Sequence, residues 1–295
     1  MRIAILGGAG EMGSWLVGHF TDTDHSLIIS DPEALNPRNL HPSCNIEMAV
    51  DNIAAVENAD FVFVSVPMNK TADVIREVIP HMRKNVVVCE ISSSKTIVLD
   101  ALKEAAKHAI QPLSIHPMFG PGATSLHKKI LLIPIIHRDN ERELVERVFP
   151  DAEIIPIDAA QHERVMALTL SLPYFMNMVL ASVLIKEDIQ VLKRMGGTTF
   201  DIQSVLTASI MAQSADLHYF LHTLNPQAMD LLTDLPAKID CILGPLTDGN
   251  QNRFQKSYEQ IKNTFERSMD SLSAYKEMYR ILECMDRENN SEGKS

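Results

Sequence analysis

Three short blocks of this chain carry residue types that could do chemistry together. The first begins at the second residue. Arg2-Ile3-Ala4-Ile5-Leu6 runs into Gly7-Gly8-Ala9-Gly10-Glu11-Met12-Gly13, in which Gly8, Gly10 and Gly13 have the spacing of a dinucleotide-binding turn. In such a turn Gly8 allows a tight reversal, Gly10 lets the backbone approach a pyrophosphate, and Gly13 lets the helix pack on its strand. The N–H groups of the first helical turn, at Glu11 and Met12, would face the phosphates, where the helix dipole favours negative charge. The alternative is an ordinary strand–helix turn without a ligand. The second and third blocks are Ile91-Ser92-Ser93-Ser94-Lys95 and His116-Pro117-Met118-Phe119-Gly120-Pro121, each following a short apolar run. A histidine so placed can act as a general base, because its unperturbed pKa lies near neutrality. A serine hydroxyl beside it could fix the ring tautomer and share a substrate hydroxyl. The competing readings are a capping or solvent-facing histidine, one of 11 in the chain, and a serine cluster that caps the next helix.

These blocks need elements to position them. The first half alternates short β-rich runs with helical patterns, the signature of a parallel sheet with crossover helices. Strands are expected over residues 2–6, 26–30, 60–67, 85–91, 112–117, 129–135 and 152–157, and helices over 14–20, 71–82, 97–108 and 141–149. Residues 32–48, rich in Pro and Asn, are expected as a long loop. In an open parallel sheet ligands bind outside the carboxyl ends of the strands. The glycine turn, Ser65-Val66-Pro67, the serine block and His116 all fall there, on one rim. Asp31, ending the second strand, is spaced to take a ribose 2′-hydroxyl. It would repel a 2′-phosphate, and Pro32 and Glu33 supply no compensating cation, so NAD is expected over NADP.

From Asp158 onward no strand pattern recurs and helical periodicity continues, broken at Gly196-Gly197, Asn225-Pro226 and Gly244-Pro245. The expected organisation is therefore a Rossmann-type α/β domain over 1–157, an all-helical domain over 158–285 and a frayed tail over 286–295. Residues 165–185 are uncharged and long enough to span a bilayer. Thr169, Ser171, Pro173, Asn177 and Ser182 interrupt them, so a central helix buried on nearly all sides is expected instead. Such a helix must be covered by its own domain, the sheet or a second copy of the chain, and a homodimer is the expectation.

Composition narrows the partners. The 295 residues allow two medium domains, and a net charge of −11 disfavours nucleic acid and acidic membranes. An anionic substrate would have to be met by local cations. The four cysteines form no C-x-x-C pair, so neither a metal site nor a disulfide framework is indicated and a cytoplasmic location is expected.

The order and spacing of Ser65-Val66-Pro67, Ile91-Ser92-Ser93-Ser94-Lys95 and His116-Pro117-Met118-Phe119-Gly120-Pro121, with Ser125-Leu126 following, resemble the prephenate/arogenate dehydrogenase family. Gln161-His162-Glu163 and the stretch from Thr199-Phe200-Asp201 through Ala212-Gln213 resemble it more loosely, and the likeness covers roughly residues 1–220. The resemblance implies an NAD(P)-binding Rossmann domain followed by an all-helical dimerisation domain. It also implies hydride transfer from the hydroxyl-bearing ring carbon of prephenate to the nicotinamide with loss of the ring carboxylate as CO2, giving 4-hydroxyphenylpyruvate for tyrosine synthesis. By position His116 would take the proton of the ring hydroxyl, and Ser93 would orient the histidine and touch that hydroxyl. Lys95 and Lys128 match basic positions that could hold an anionic ligand, and Tyr174 stands among the substrate-facing residues where several relatives have histidine. One departure bears on the substrate. Ser209 occupies the place of an arginine that grips a substrate carboxylate, and residues 202–213 contain no Arg or Lys. A serine cannot replace a bidentate guanidinium. Arogenate, 4-amino-4-deoxyprephenate, another small hydroxy or imino acid, and a regulatory protein that binds a dinucleotide without turnover are the alternatives.

Overall fold

The computed structural model describes residues 1–21, 23–33, 46–123 and 127–292. It divides into two compact units, one comprising Met1–Thr169 with Asp216–Ala228, the other Leu170–Ala215 with Met229–Ser295. The first holds an eight-stranded sheet of β1 (Arg2–Leu6), β2 (Ser26–Ser30), β3 (Ile46–Met48), β4 (Phe61–Val64), β5 (Val87–Glu90), β6 (Gln111–Pro117), β7 (Lys129–Leu132) and β8 (Glu153–Pro156). Their spatial order is β3-β2-β1-β4-β5-β6-β7-β8. The order turns back on itself at β1, which lies between β2 and β4, and that is where a doubly wound sheet opens a crevice.

The central strands are apolar at successive positions because both faces are covered. Alternate side chains go to opposite cores. Ile3, Ile5, Phe61 and Phe63 pack with Leu16, Val17 and Phe20 of α1 (Glu11–Thr21). Val145 and Val148 of the later helix Arg138–Val148 join the same core. Ala4, Leu6, Val62, Val64 and Val88 pack on the other face with α2 (Asn52–Val56), α3 (Thr71–Val78) and α4 (Leu99–Lys107). The Arg138–Val148 helix is α5. This is the doubly wound α/β architecture that the alternating pattern predicts.

Three details differ from the sequence expectation. Ile46–Met48, expected as loop, pairs in parallel with β2; three residues are too short to show an alternation, and residues 34–45 lie outside the description. β7 runs antiparallel to β6, because residues 118–128 between them are fewer than the dozen or so that a parallel crossover needs. Finally, the polar end is helical to Glu292, since nothing in residues 286–292 breaks a helix before Gly293.

The break between units also falls later than the last strand. Asp158 caps α6 (Ala159–Met166), its carboxylate accepting from the Gln161 N–H at 2.8 Å. The helix continues through a π-helical turn, Ala167–Ser171, into α7 (Leu172–Leu184). Residues 216–228, which begin at the second position of α10 (Ala215–Thr223), return to the first unit, so the expected boundary at residue 157 marks only the end of the strands.

The second unit is helical: α7, α8 (Ile189–Met195), α9 (Thr198–Met211), α11 (Pro226–Thr247) from Met229, α12 (Gln251–Glu266) and α13 (Ser271–Glu292). Asn177 of α7 joins α9 through its side-chain oxygen, which accepts from Gln203 Nε2 and Thr207 Oγ1, both at 2.7 Å. The apolar helix is not buried on all sides as expected. Of the most apolar stretch within Ala159–Leu184, which is long and apolar enough to cross a membrane, only 17% is buried. Val179, Val183 and Ile185 are exposed, because the chain itself covers only a narrow stripe of α7.

The glycine turn sets a stringent test of the first unit. A Cβ on Gly13 would stand 1.9 Å from the Gly7 carbonyl oxygen, so Gly13→Ala must push α1 off β1. Urea denaturation should show a loss of about 1–3 kcal/mol or more. An unchanged midpoint would mean that the helix packs less closely than described.

Candidate active site

The carboxyl ends of β1, β4, β5 and β6 lie side by side, with Leu6, Val64, Glu90 and Ser114 in register. Three steps of about 4.8 Å put the strand of His116 about 14 Å from the glycine strand. The rim inferred from sequence is thus formed, and its residues can be taken in turn.

The tight reversal belongs to Gly7 rather than Gly8. Gly7 has φ +87°, and a Cβ there would stand 2.5 Å from the Ser65 carbonyl oxygen. Gly8 instead clears the Ile29 side chain, which a Cβ would meet at 2.4 Å. Gly10 differs from both, since a Cβ would find nothing nearer than 3.5 Å. Its open face leaves backbone accessible beside the start of α1, where Glu11 and Met12 supply the first N–H groups. Asp31 is bound into the same turn, Oδ2 accepting from the Ala9 N–H at 2.9 Å and Oδ1 from the Glu33 N–H at 2.8 Å. Ser65 donates its N–H to the Leu6 carbonyl at 2.8 Å, and Val66 and Pro67 lead from it into the helical turn before α3. These features fit a dinucleotide: an exposed backbone cradle, a helix N-terminus and an anchored carboxylate.

The serine block is organised by a fully buried ion pair. Lys95 Nζ donates to Glu90 Oε1 and to the Ile115 carbonyl, each at 2.7 Å. The Ser92 and Ser114 hydroxyls and the Ser92 N–H also donate to the Glu90 carboxylate. Lys95 has no exposed side-chain surface, so the expectation that it holds an anionic ligand is overturned. Its charge is consumed by Glu90, one strand residue before the loop. Lys128 is not part of the block either; its ammonium lies 5.8 Å from the Trp15 ring centroid, against α1. Ser125 and Leu126 lie outside the described residues.

His116 is buried on β6, opposite Leu131 of β7. Its Nδ1 shares a hydrogen bond with His162 Nε2 at 3.1 Å, donor and acceptor depending on the tautomers. Ser93, expected to orient His116, forms no hydrogen bond among the described residues; α6 supplies the partner instead. Nε2 of His116 has no protein hydrogen bond among the described residues and is the atom left for a substrate. Burial, then the neighbouring Lys95 charge and then His162, hold the His116 pKa well below its ordinary value.

His162 itself is fully buried, and Glu163 is nearly so. Glu163 Oε1 accepts from the N–H groups of Lys95 and Thr96, tying α6 to the serine block. Asn225 donates from Nδ2 to the Glu163 carbonyl at 2.8 Å, and Ser94 Oγ donates to the Leu224 carbonyl at 3.1 Å. His162 and Glu163 are the positions that residue-by-residue reading of the sequence missed, although Gln161-His162-Glu163 was the visible signal. Tyr174 lies in α7 of the helical unit, as does Ser209 in α9, where its hydroxyl donates to the Leu206 carbonyl.

A doubly wound sheet with this turn at its switch point defines a nucleotide-binding α/β domain. Residues 22–142 match the family model described as the nucleotide-binding domain of prephenate dehydrogenase. A Methanocaldococcus jannaschii protein described as a probable arogenate/prephenate dehydrogenase is 25% identical over 238 residues, covering 78% of this chain and 53% of that protein. The chain thus spans about half of that relative's length. Among solved structures, prephenate dehydrogenase from A. aeolicus, in complex with hydroxyphenyl propionate and NAD+, has a TM-score of 0.69 at 16% identity, over 90% of this chain and 98% of that one. Synechocystis arogenate dehydrogenase gives 0.65 at 17% identity, over 91% and 100%. Identities this low establish a shared fold.

The depressed His116 pKa has a measurable sign. Below about pH 6.5 an unfolded histidine takes up a proton that buried His116 refuses, so the unfolded state gains protons and stability falls with pH. Burial lowers His19 and His222 in the same direction. Unfolding free energy should therefore decline as pH drops from 7 to 5, and less steeply in His116→Gln. NMR titration of His116 at an ordinary histidine pKa in the folded protein would contradict this.

Proposed function

We propose that the chain is an NAD-dependent dehydrogenase that oxidatively decarboxylates prephenate to 4-hydroxyphenylpyruvate. The supporting observation is His116, whose Nδ1 is tied to α6 while Nε2 has no partner among the described residues, on the same sheet rim as the glycine cradle. Bound NAD would supply the hydride acceptor. The chain's part is to bring the ring hydroxyl against Nε2, where the imidazole takes the hydroxyl proton as the carbinol hydride departs, and returns it to the phenolate oxygen once the ring carboxylate has left as CO2. The low pKa keeps His116 unprotonated and ready to accept. Ser93, half-buried in the adjacent loop and without another partner among the described residues, is positioned by sequence to meet the same hydroxyl.

Asp31 supports NAD over NADP, because its fixed charge at the end of β2 disfavours a 2′-phosphate. The named relatives act on prephenate or arogenate, as their names state. A second reading rests on α9, where Ser209 and the absence of Arg or Lys across residues 202–213 remove the expected carboxylate clamp. It assigns the same chemistry to arogenate or another amino analogue, or dinucleotide binding without turnover. Offering prephenate, arogenate and 4-amino-4-deoxyprephenate with NAD and with NADP, while following the reduced cofactor, tests both readings. With the active pair, His116→Asn should lower turnover by about two to four orders of magnitude; near-normal turnover would remove His116 as the base.

We also read the protein as a homodimer formed through the helical unit. Val183, Ile185 and Met195, and Ile242, Leu243 and Leu246 of α11, are large apolar residues exposed to solvent, more than an isolated soluble surface ordinarily carries. Light scattering should give twice the 32.9 kDa chain mass, and a concentration-independent monomer would refute the dimer. Cys89, Cys241 and Cys284 are free thiols, which supports a cytoplasmic setting.

A further inference from the structure

We infer that Glu163 and His162 form a positioning relay that fixes the tautomer of His116, and with it which ring nitrogen can act as a base. The inference deepens the reading of His116 given above and rests on it for its kinetic consequence.

Two nitrogens 3.1 Å apart, His116 Nδ1 and His162 Nε2, hold one proton between them when both rings are neutral. If His116 holds it, Nδ1–H donates to His162 Nε2, His162 carries its own proton on Nδ1, and His116 Nε2 is a bare lone pair. If His162 holds it, Nε2–H donates to His116 Nδ1, and the His116 proton moves to Nε2. Only the first arrangement leaves a base facing substrate.

The choice is made at the far side of His162. Its Nδ1 is buried without a hydrogen-bond partner, and Glu163 Oε2 is a second buried atom without one, among the described residues. The same carboxylate approaches that nitrogen through its other oxygen, Glu163 Oε1 standing 3.7 Å from His162 Nδ1. A carboxylate at that point favours a proton on Nδ1, and so selects the first arrangement. Its position is held by the N–H groups of Lys95 and Thr96 on one side and by the Asn225 amide on its backbone carbonyl. The other charged groups of the cluster, Lys95 and Glu90, neutralise one another at 2.7 Å. Glu163 therefore stands as the adjoining carboxylate that has no cation of its own. His162 and Glu163 would never touch substrate; they act through His116.

The tautomer can be read directly. In protein labelled with 15N-histidine, long-range proton–nitrogen correlation at neutral pH reports which nitrogen of each ring is protonated, and His116→Asn assigns the signals. Wild type should show His116 as the Nδ1–H form. Glu163→Gln keeps an oxygen for the Lys95 and Thr96 N–H groups but removes the charge, so an Nε2–H population of His116 should appear. His162→Phe removes the acceptor and should give the same mixture by the other route. With whichever substrate the panel identifies, Glu163→Gln should lower kcat by about tenfold or more while KM for the cofactor stays within about twofold. An Nε2–H His116 in wild type, or a tautomer unmoved by Glu163→Gln, would overturn the relay. These spectra need no substrate, so a panel without turnover would refute the dehydrogenase reading and leave the relay to be judged on its own.

Discussion

The first unit is organised around a charge pair that has no access to water. Lys95 and Glu90 meet at 2.7 Å with both side chains wholly buried, and every further bond they make fixes something else. Removing either partner from such a pair typically costs about 3–5 kcal/mol, because the other charge is left uncompensated in a low-dielectric interior. The ammonium also donates to the carbonyl of Ile115, the residue before His116. The carboxylate gathers hydroxyls from the loop after β5 and from β6. One ion pair thus clamps two strand ends, shapes the serine loop and adds to the burial that keeps the imidazole neutral. A lysine that looked available for an anionic substrate acts on the site by staying inside it.

What could be foreseen from sequence follows the strength of the local signal. The opening turn, the strand pattern of the first half and His116 were legible because each has a rigid spacing or an unbroken apolar run. β3 was not, since Ile46-Glu47-Met48 is shorter than any period it could display. Reversal of β7 depends on the shortness of the link over residues 118–128, a feature of the link rather than of the strand. The tight reversal expected of Gly8 fell to Gly7 because a motif gives spacing and not dihedral angles. Ser93 gave way to His162 as the partner of His116 because the two histidines are 46 positions apart. Tertiary pairing over such a distance leaves no trace in composition or periodicity.

The helical unit follows a different logic. A buried amide hub at Asn177 specifies how α7 meets α9, while much of the apolar surface of α7, α11 and α13 faces outward. Hydrophobicity there is not spent on a core within the chain, so a count of apolar residues overstates how much the isolated chain buries. The same reasoning explains why a 26-residue apolar helix could be read correctly as a helix and wrongly as a buried one.

The carboxylate of Asp31 serves two masters. It supplies the charge at the end of β2 and it clasps the Ala9 amide inside the glycine loop. Attempts to redesign coenzyme choice at this position would meet a hidden cost: an Arg or Ala introduced to welcome an extra phosphate also unfastens the loop that cradles either coenzyme. A successful redesign must keep an acceptor for that amide, as the carbonyl of an asparagine would, and place the new cation elsewhere, for instance at Glu33.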